Sequence, residues 1–90
     1  MSPGMGTCLR ALADLHGECG ESFWPFKEIC RRTAMDQKLV RVKVRALKRG
    51  GLAEFASGLI TWDGEFAGAG YRISDAGLAW VRLHWPESTP

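Results

Sequence analysis

Apolar residues recur at helical spacing in the first half of the chain. The first such stretch, residues 7–15, places Leu9 and Leu12 on one face, and Thr7 precedes it as a candidate N-cap. The stretch 17–21 contains two glycines, which readily adopt the positive φ of a helix stop. The pattern therefore predicts a short amphipathic first helix.

A second helix is expected to begin near Pro25, because proline costs little in a first helical turn, where its missing N–H would have no partner. Phe26, Ile29 and Cys30 follow at the spacing of an apolar stripe. Residues 33–35 then form a short turn before the next helix.

The stretch between Asp36 and Gly50 fits two patterns. Its alternating valines and cations are typical of a strand with one basic face. Val40, Val44 and Leu47, however, recur at positions i, i+4 and i+7, which is the period of a helix. Asp36 can cap that helix and Gly50 can end it, so the sequence favours a helix here.

The second half of the chain predicts a hairpin and a last helix. Two stretches, 52–62 and 65–73, flank the dipeptide at 63–64, an Asp-Gly pair that suits a two-residue turn. Glycines inside both strands predict bulges. Ser74 can cap a last helix over 75–84. The predicted order is three helices, a hairpin and a helix, which makes an α+β domain.

Charge is distributed unevenly along a chain whose 90 residues suffice for one domain. We place that domain at 7–85, with a disordered segment at 1–6 and a tail at 86–90. The net charge is +2, yet residues 27–49 hold nine Lys or Arg against two acidic residues, a local charge of +7. The remainder carries −5. A basic stripe on an acidic body indicates an oriented, electrostatically attracted partner.

Several classes of function are not indicated. Cys8, Cys19 and Cys30 cannot all pair within the chain, which fits the reducing cytoplasm, and they lack a Cys-x2-Cys zinc spacing. There is no phosphate loop, nucleophile with a companion base or paired carboxylates, so we expect no enzyme, cofactor or metal. No apolar run reaches the ~18 residues of a membrane span, and the first residues do not form a secretory signal.

Two stretches resemble winged helix-turn-helix regulators. Thr33-Ala34-Met35-Asp36, the apolar repeat that ends at Leu47, and Gly51-Leu52 are similar to the turn and recognition helix of such proteins. The stretch 71–77, Tyr-Arg-Ile-Ser-Asp-Ala-Gly, is similar to the second wing strand and following helix of MarR-type and related bacterial or phage repressors. The resemblance implies a three-helix bundle, a two-stranded β wing and a C-terminal helix. It also implies a transcription regulator that binds double-stranded DNA.

The third helix of such a domain enters the major groove, so its outward residues become candidate DNA contacts. Lys38, Arg41 and Arg45 can donate to guanine O6 and N7, whereas Val42 can touch a thymine methyl. Gln37 can bind adenine or phosphate, and further cations can bind phosphates. The expected DNA-binding residues are Arg31, Arg32, Thr33, Gln37, Lys38, Arg41, Val42, Arg45, Lys48 and Arg49.

The wing departs from the pattern of DNA-binding members. The stretch 52–70 has no basic residue, only Glu54, Asp63 and Glu65, which phosphate would repel. A protein-interaction module therefore remains the alternative, for example a phage-type inhibitor or adaptor that uses the basic helix on an acidic protein partner.

The last helix is apolar around most of its circumference, with Trp80 and Leu83 off the main stripe. The first helix and the wing can cover this surface within one monomer, or a second copy can cover it. We expect a homodimer through the first and last helices, although the long dimerisation helices of MarR-type proteins are missing. The expected interface residues are Leu9, Leu12, Leu78, Trp80, Val81 and Trp85.

Overall fold

The order of helices and strands is the one expected from the sequence. The computed structural model describes residues 3–19, 23–60, 64 and 66–85; the expected tail, 86–90, lies outside them. The two strands pair antiparallel, and the architecture is the α+β winged helix-turn-helix fold. The elements are α1 (Pro3–Cys19), α2 (Phe26–Thr33), α3 (Gln37–Arg49), β1 (Ala53–Ile60), β2 (Phe66–Ile73) and α4 (Asp75–His84).

Helix α1 is longer than expected at both ends. It begins at Pro3, so the expected disordered N-terminus is wrong for residues 3–6. Thr7 lies inside the helix and donates its hydroxyl to the Pro3 carbonyl at 2.9 Å instead of capping. The helix also continues through Gly17 to Cys19. Packing of its apolar face on the core outweighs the cost of roughly 1 kcal/mol per helical glycine.

The core lies between the three N-terminal helices and the base of the sheet. Val40, Val44 and Leu47 are fully buried, which confirms the helical period and excludes the strand interpretation of this stretch. Leu52, which follows the last turn of α3, is only half-buried. The other buried apolar side chains are Cys8, Leu9, Ala11, Leu12, Leu15, Ile29, Ala53, Tyr71, Ile73 and Val81.

Strands β1 and β2 form the expected hairpin, which is the wing of the fold. Register shifts between residues 56 and 60 accompany positive φ values at Gly58 (67°) and Gly68 (82°). The bulges predicted from glycine are thus confirmed. Of the expected turn at 63–64, Gly64 is described and has a φ of 92°, whereas Asp63 lies outside the described residues.

Trp24 forms an isolated β-bridge with Tyr71 at the edge of the sheet. Its N–H donates to the Tyr71 carbonyl at 2.7 Å, and the Tyr71 N–H donates back at 2.8 Å. Trp24 therefore precedes α2; Pro25 is the extended N-cap, and the helix begins at Phe26. Gly70 permits the close approach, because a Cβ there would lie 3.0 Å from backbone atoms of Trp24.

Ser74 joins α4 to the turn that leaves α3. Its N–H donates to the Leu52 carbonyl at 3.1 Å, and its hydroxyl donates to the Gly51 carbonyl at 2.6 Å. The same hydroxyl accepts the Gly77 N–H at 3.0 Å, which confirms Ser74 as the N-cap. Two backbone segments that are distant in sequence thus meet at one side chain and fix where α4 starts.

Candidate nucleic-acid interface

The turn between α2 and α3 determines how α3 is presented. Ala34 adopts a left-handed φ of 57°, and its N–H donates to the Cys30 carbonyl at 2.8 Å. The Thr33 hydroxyl donates to the Ile29 carbonyl at 2.9 Å and accepts the Met35 N–H at 3.2 Å. Thr33, expected as a DNA contact, therefore uses its hydroxyl to hold the turn.

Helix α3 turns one face to the core and the other to solvent. Asp36 caps it by accepting the Lys38 N–H at 3.0 Å. Seven of the ten expected DNA-binding residues lie together on its exposed surface. Leu39 is exposed beside them; the sequence prediction missed it, although its position three residues before Val42 was an available signal. The exposed residues of α3 are Gln37, Lys38, Leu39, Arg41, Val42, Arg45, Lys48 and Arg49.

The cations on this surface are not neutralised by carboxylates of the described chain. Within the described part of the chain, no ion pair involves Lys38, Arg41, Arg45, Lys48 or Arg49. The guanidinium of Arg41 lies 5.8 Å from the ring centroid of its α2 neighbour Phe26, a contact that directs the side chain along the α2 flank. The outer face of α3 is thus a strip of five positive charges whose counterions must come from solvent or a partner.

The two α2 arginines differ from those of α3, because both have acidic partners. Arg31 donates to Glu28 at 2.7 Å. Arg32 donates two hydrogen bonds to Glu18 of α1, one of them at 2.9 Å. These bonds lower the pKa of Glu18 and raise the pKa of Arg32. Arg31 and Arg32, expected at phosphates, are therefore engaged within the protein, and Arg32 links α2 to α1.

The described wing is not a basic surface. Arg72 of β2 forms an ion pair with Glu54 of β1 at 2.7 Å, and its guanidinium lies 4.6 Å from the Phe23 ring centroid. The other acidic wing residues, Asp63 and Glu65, lie outside the described residues. Among the described residues, the wing therefore adds no cation without a carboxylate partner to those of α3.

Half of the expected dimer interface lies inside the monomer. Leu9, Leu12 and Val81 are buried against the same chain, so the expectation is wrong for these three side chains. They face inward because α1 and α4 use their apolar stripes to close the core. The other three expected residues, Leu78, Trp80 and Trp85, are half-buried.

An aromatic cluster borders a groove of about 660 Å³ between α1 and α4. Trp80 stacks on His84 with ring centroids 4.0 Å apart and meets Trp85 edge-on at 4.8 Å. The guanidinium of Arg10 lies 4.8 Å from the centroid of the Trp85 ring. Much of the aromatic surface is thus covered within the monomer, whereas Leu83 is 77% exposed.

The thiol of Cys8 behaves as part of the core. Burial raises the pKa of Cys8 to about 11, so the group stays protonated at neutral pH.

Among the described residues, no three His, Cys, Asp or Glu side chains are grouped so that they could hold a metal ion. In the same residues, no helix is long and apolar enough to cross a membrane.

The fold and this surface define a winged-helix domain whose third helix is basic. The chain is similar over 96% of its length to 99% of a protein of known crystal structure from Ralstonia eutropha JMP134, with a TM-score of 0.75 and 20% identity. That protein bears the description "putative DNA-binding protein". At this identity the similarity concerns the fold. Comparison with protein-family models gives no match, and neither does comparison with curated protein sequences.

Proposed function

We propose that the chain binds double-stranded DNA with α3 in the major groove and acts as a small sequence-specific transcription regulator related to MarR-type proteins. The observation that carries this proposal is the row of five exposed cations on α3, none of which has an ion-pair partner in the described chain. The description of the structural neighbour as a DNA-binding protein supports the same function.

The dimensions of α3 suit a major groove. Its 13 residues span about 20 Å, and a groove about 12 Å wide admits a helix. Lys38 and Arg41 lie in the first two turns of α3 and Arg45 begins the third; recognition helices reach base edges with this N-terminal part. Lys48 and Arg49 follow in the last turn and are better placed for phosphates, which provide affinity without sequence information.

A second candidate function is binding of an acidic protein surface by the same helix. The observation in its favour is the wing, where Glu54 is exposed and neutralises the Arg72 guanidinium. A wing without free cations gives no additional attraction to phosphate. An acidic protein partner that touches only α3 would not be affected by it.

Titration of the protein with fluorescent random-sequence duplex, at about 50 and 200 mM salt, tests the proposal. We expect log K to fall with log salt at a slope between about −2 and −4.5, which corresponds to two to five neutralised phosphates. Arg49→Ala should reduce the slope by about one unit. The matched control is Arg82→Ala, which removes one exposed charge from α4 and should leave the slope unchanged.

Base readout is tested on a sequence selected from the random pool. Arg45→Ala should weaken binding to that sequence by ~1–3 kcal/mol and relax the preference at one position. Folded protein that binds no duplex at the lower salt would contradict DNA binding and favour the acidic protein partner.

A further inference from the structure

Two apolar side chains stand among the cations of α3. Leu39 is 44% exposed and Val42 is 58% exposed, and neither belongs to the buried core. They are three residues apart, so they are neighbours on the helix surface. A β-branched valine is a poor choice for an exposed helix position, where Ala, Glu or Lys would be favoured. Local departures of this kind are typical of functional surfaces.

The apolar pair and the arginines occupy different sides of the outer face. With about 100° per residue and the buried stripe pointing inward, Val42 and Arg45 point away from the core. Arg41 lies on the flank next to α2, as its contact with Phe26 at 5.8 Å confirms. Leu39 lies on the opposite flank. The outer face of α3 therefore has a basic side and an apolar side.

We propose that Leu39 and Val42 form a reading surface for the 5-methyl group of thymine; this inference rests on the proposed DNA binding. The thymine methyl is the apolar group that the four natural bases display in the major groove, and aliphatic side chains contact it. Guanine O6 and N7 accept hydrogen bonds from the basic side. A bound half-site should thus carry thymine under the apolar side of α3 and guanine under Arg41 and Arg45.

The experiment removes the methyl group without changing base pairing. A duplex selected from a random pool is prepared with deoxyuridine in place of each thymine in turn. Burial of one methyl corresponds to about a fourfold change in affinity, so we expect about fourfold weaker binding at one or two positions. Leu39→Ala and Val42→Ala each keep a helix-forming residue at an exposed site, so circular dichroism should remain unchanged.

The protein variants assign the effect to side chains. Leu39→Ala or Val42→Ala should weaken binding to the thymine duplex and abolish the additional loss from deoxyuridine at its own position, as coupled partners do in a double-mutant cycle. Arg82→Ala should retain the fourfold sensitivity.

Three results would overturn the inference. Wild-type protein that binds duplex and tolerates every deoxyuridine would contradict methyl reading while leaving DNA binding intact. Equal deoxyuridine sensitivity in wild type and both alanine variants would show that other residues read the methyl. Folded protein that binds no duplex would remove the proposed function together with this inference.

Discussion

Replacement of glycine by alanine should change the stability of the domain in opposite directions at two helical positions, Gly77 and Gly6. Gly77 lies in the first turn of α4, where an added Cβ would lie 2.2 Å from the Leu52 carbonyl oxygen and 2.6 Å from Ile73 Cγ1. Gly6 lies in α1, where an added Cβ would contact the Trp85 ring at an ordinary 3.7 Å. Gly77→Ala should therefore destabilise the domain, and Gly6→Ala should stabilise it.

The magnitudes follow from the contacts. Alanine is favoured over glycine in a helix by about 1 kcal/mol, which is the expected gain at Gly6. At Gly77, α4 must move by about 1 Å to restore van der Waals distances. That movement strains the two hydrogen bonds from Ser74, each worth about 1 kcal/mol, and overpacking costs about 1–3 kcal/mol more. After the helical gain is subtracted, we expect Gly77→Ala to cost about 2–4 kcal/mol.

Urea and thermal unfolding of the two variants measure the difference directly. For a domain of this size, 1 kcal/mol corresponds to roughly 4–8 °C, so the Tm of Gly77→Ala should fall by about 10 °C or more. The Tm of Gly6→Ala should rise by a few degrees. A stabilised Gly77→Ala would refute the close packing of α4 on Leu52, and a destabilised Gly6→Ala would refute the early start of α1.

Three further perturbations test other parts of the molecule. Ala34→Gly should stabilise the domain to urea by about 0.5–1 kcal/mol, because relief of the left-handed conformation exceeds the added entropy of the unfolded chain; earlier unfolding would contradict the turn geometry. Arg32 lowers the pKa of Glu18 below its ordinary 4.5, so this carboxylate contributes stability that is present above pH 4.5 and lost as the pH falls further. Glu18→Gln should therefore reduce the fall of the Tm below pH 4.5. A variant whose Tm falls with pH as steeply as that of the wild type would refute this. We propose that the half-buried Trp80 and the exposed Leu83 of α4 meet a second copy of the chain; light scattering at tens of micromolar protein should then report a homodimer that Trp80→Ala weakens, whereas a clean wild-type monomer would remove the dimer.

Helix α3 could be predicted because local and global signals agree there. Asp36 is a capping residue, Val40, Val44 and Leu47 have the helical period, and glycines follow the last turn. The start of α1 could not be predicted in this way: Pro3 is tolerated at a first helical position, but Gly4 and Gly6 are locally unfavourable to a helix. Its helical state depends on tertiary packing, which no local pattern contains: the helix passes the Trp85 ring so closely that a Cβ added at residue 6 would lie 3.7 Å from it.

The candidate site was predictable to the extent that its residues share one helix. The wheel of α3 places Arg45 and its neighbours outward without knowledge of any other element. The pairing of Arg32 with Glu18 could not be predicted, because Glu18 lies 14 residues earlier on another helix and sequence spacing carries no sign of the contact. From the sequence, Arg32 is therefore expected at a phosphate. The bridge between Trp24 and Tyr71 was missed for the same reason, because strand partners this far apart leave no periodic signal.

The distribution of ion pairs separates two kinds of cation in this molecule. Arg32 and Arg72 contact carboxylates on α1 and β1, so they help to join elements of the fold. Arg31 pairs with a carboxylate on its own helix. The exposed cations of α3 have no such partner in the described chain, so their field extends into solvent and is screened only by salt. A net charge of +2 would predict weak attraction to a polyanion, yet a partner that approaches α3 encounters five positive charges on one helix. The salt dependence of binding should therefore report the number of α3 contacts and not the charge of the whole protein.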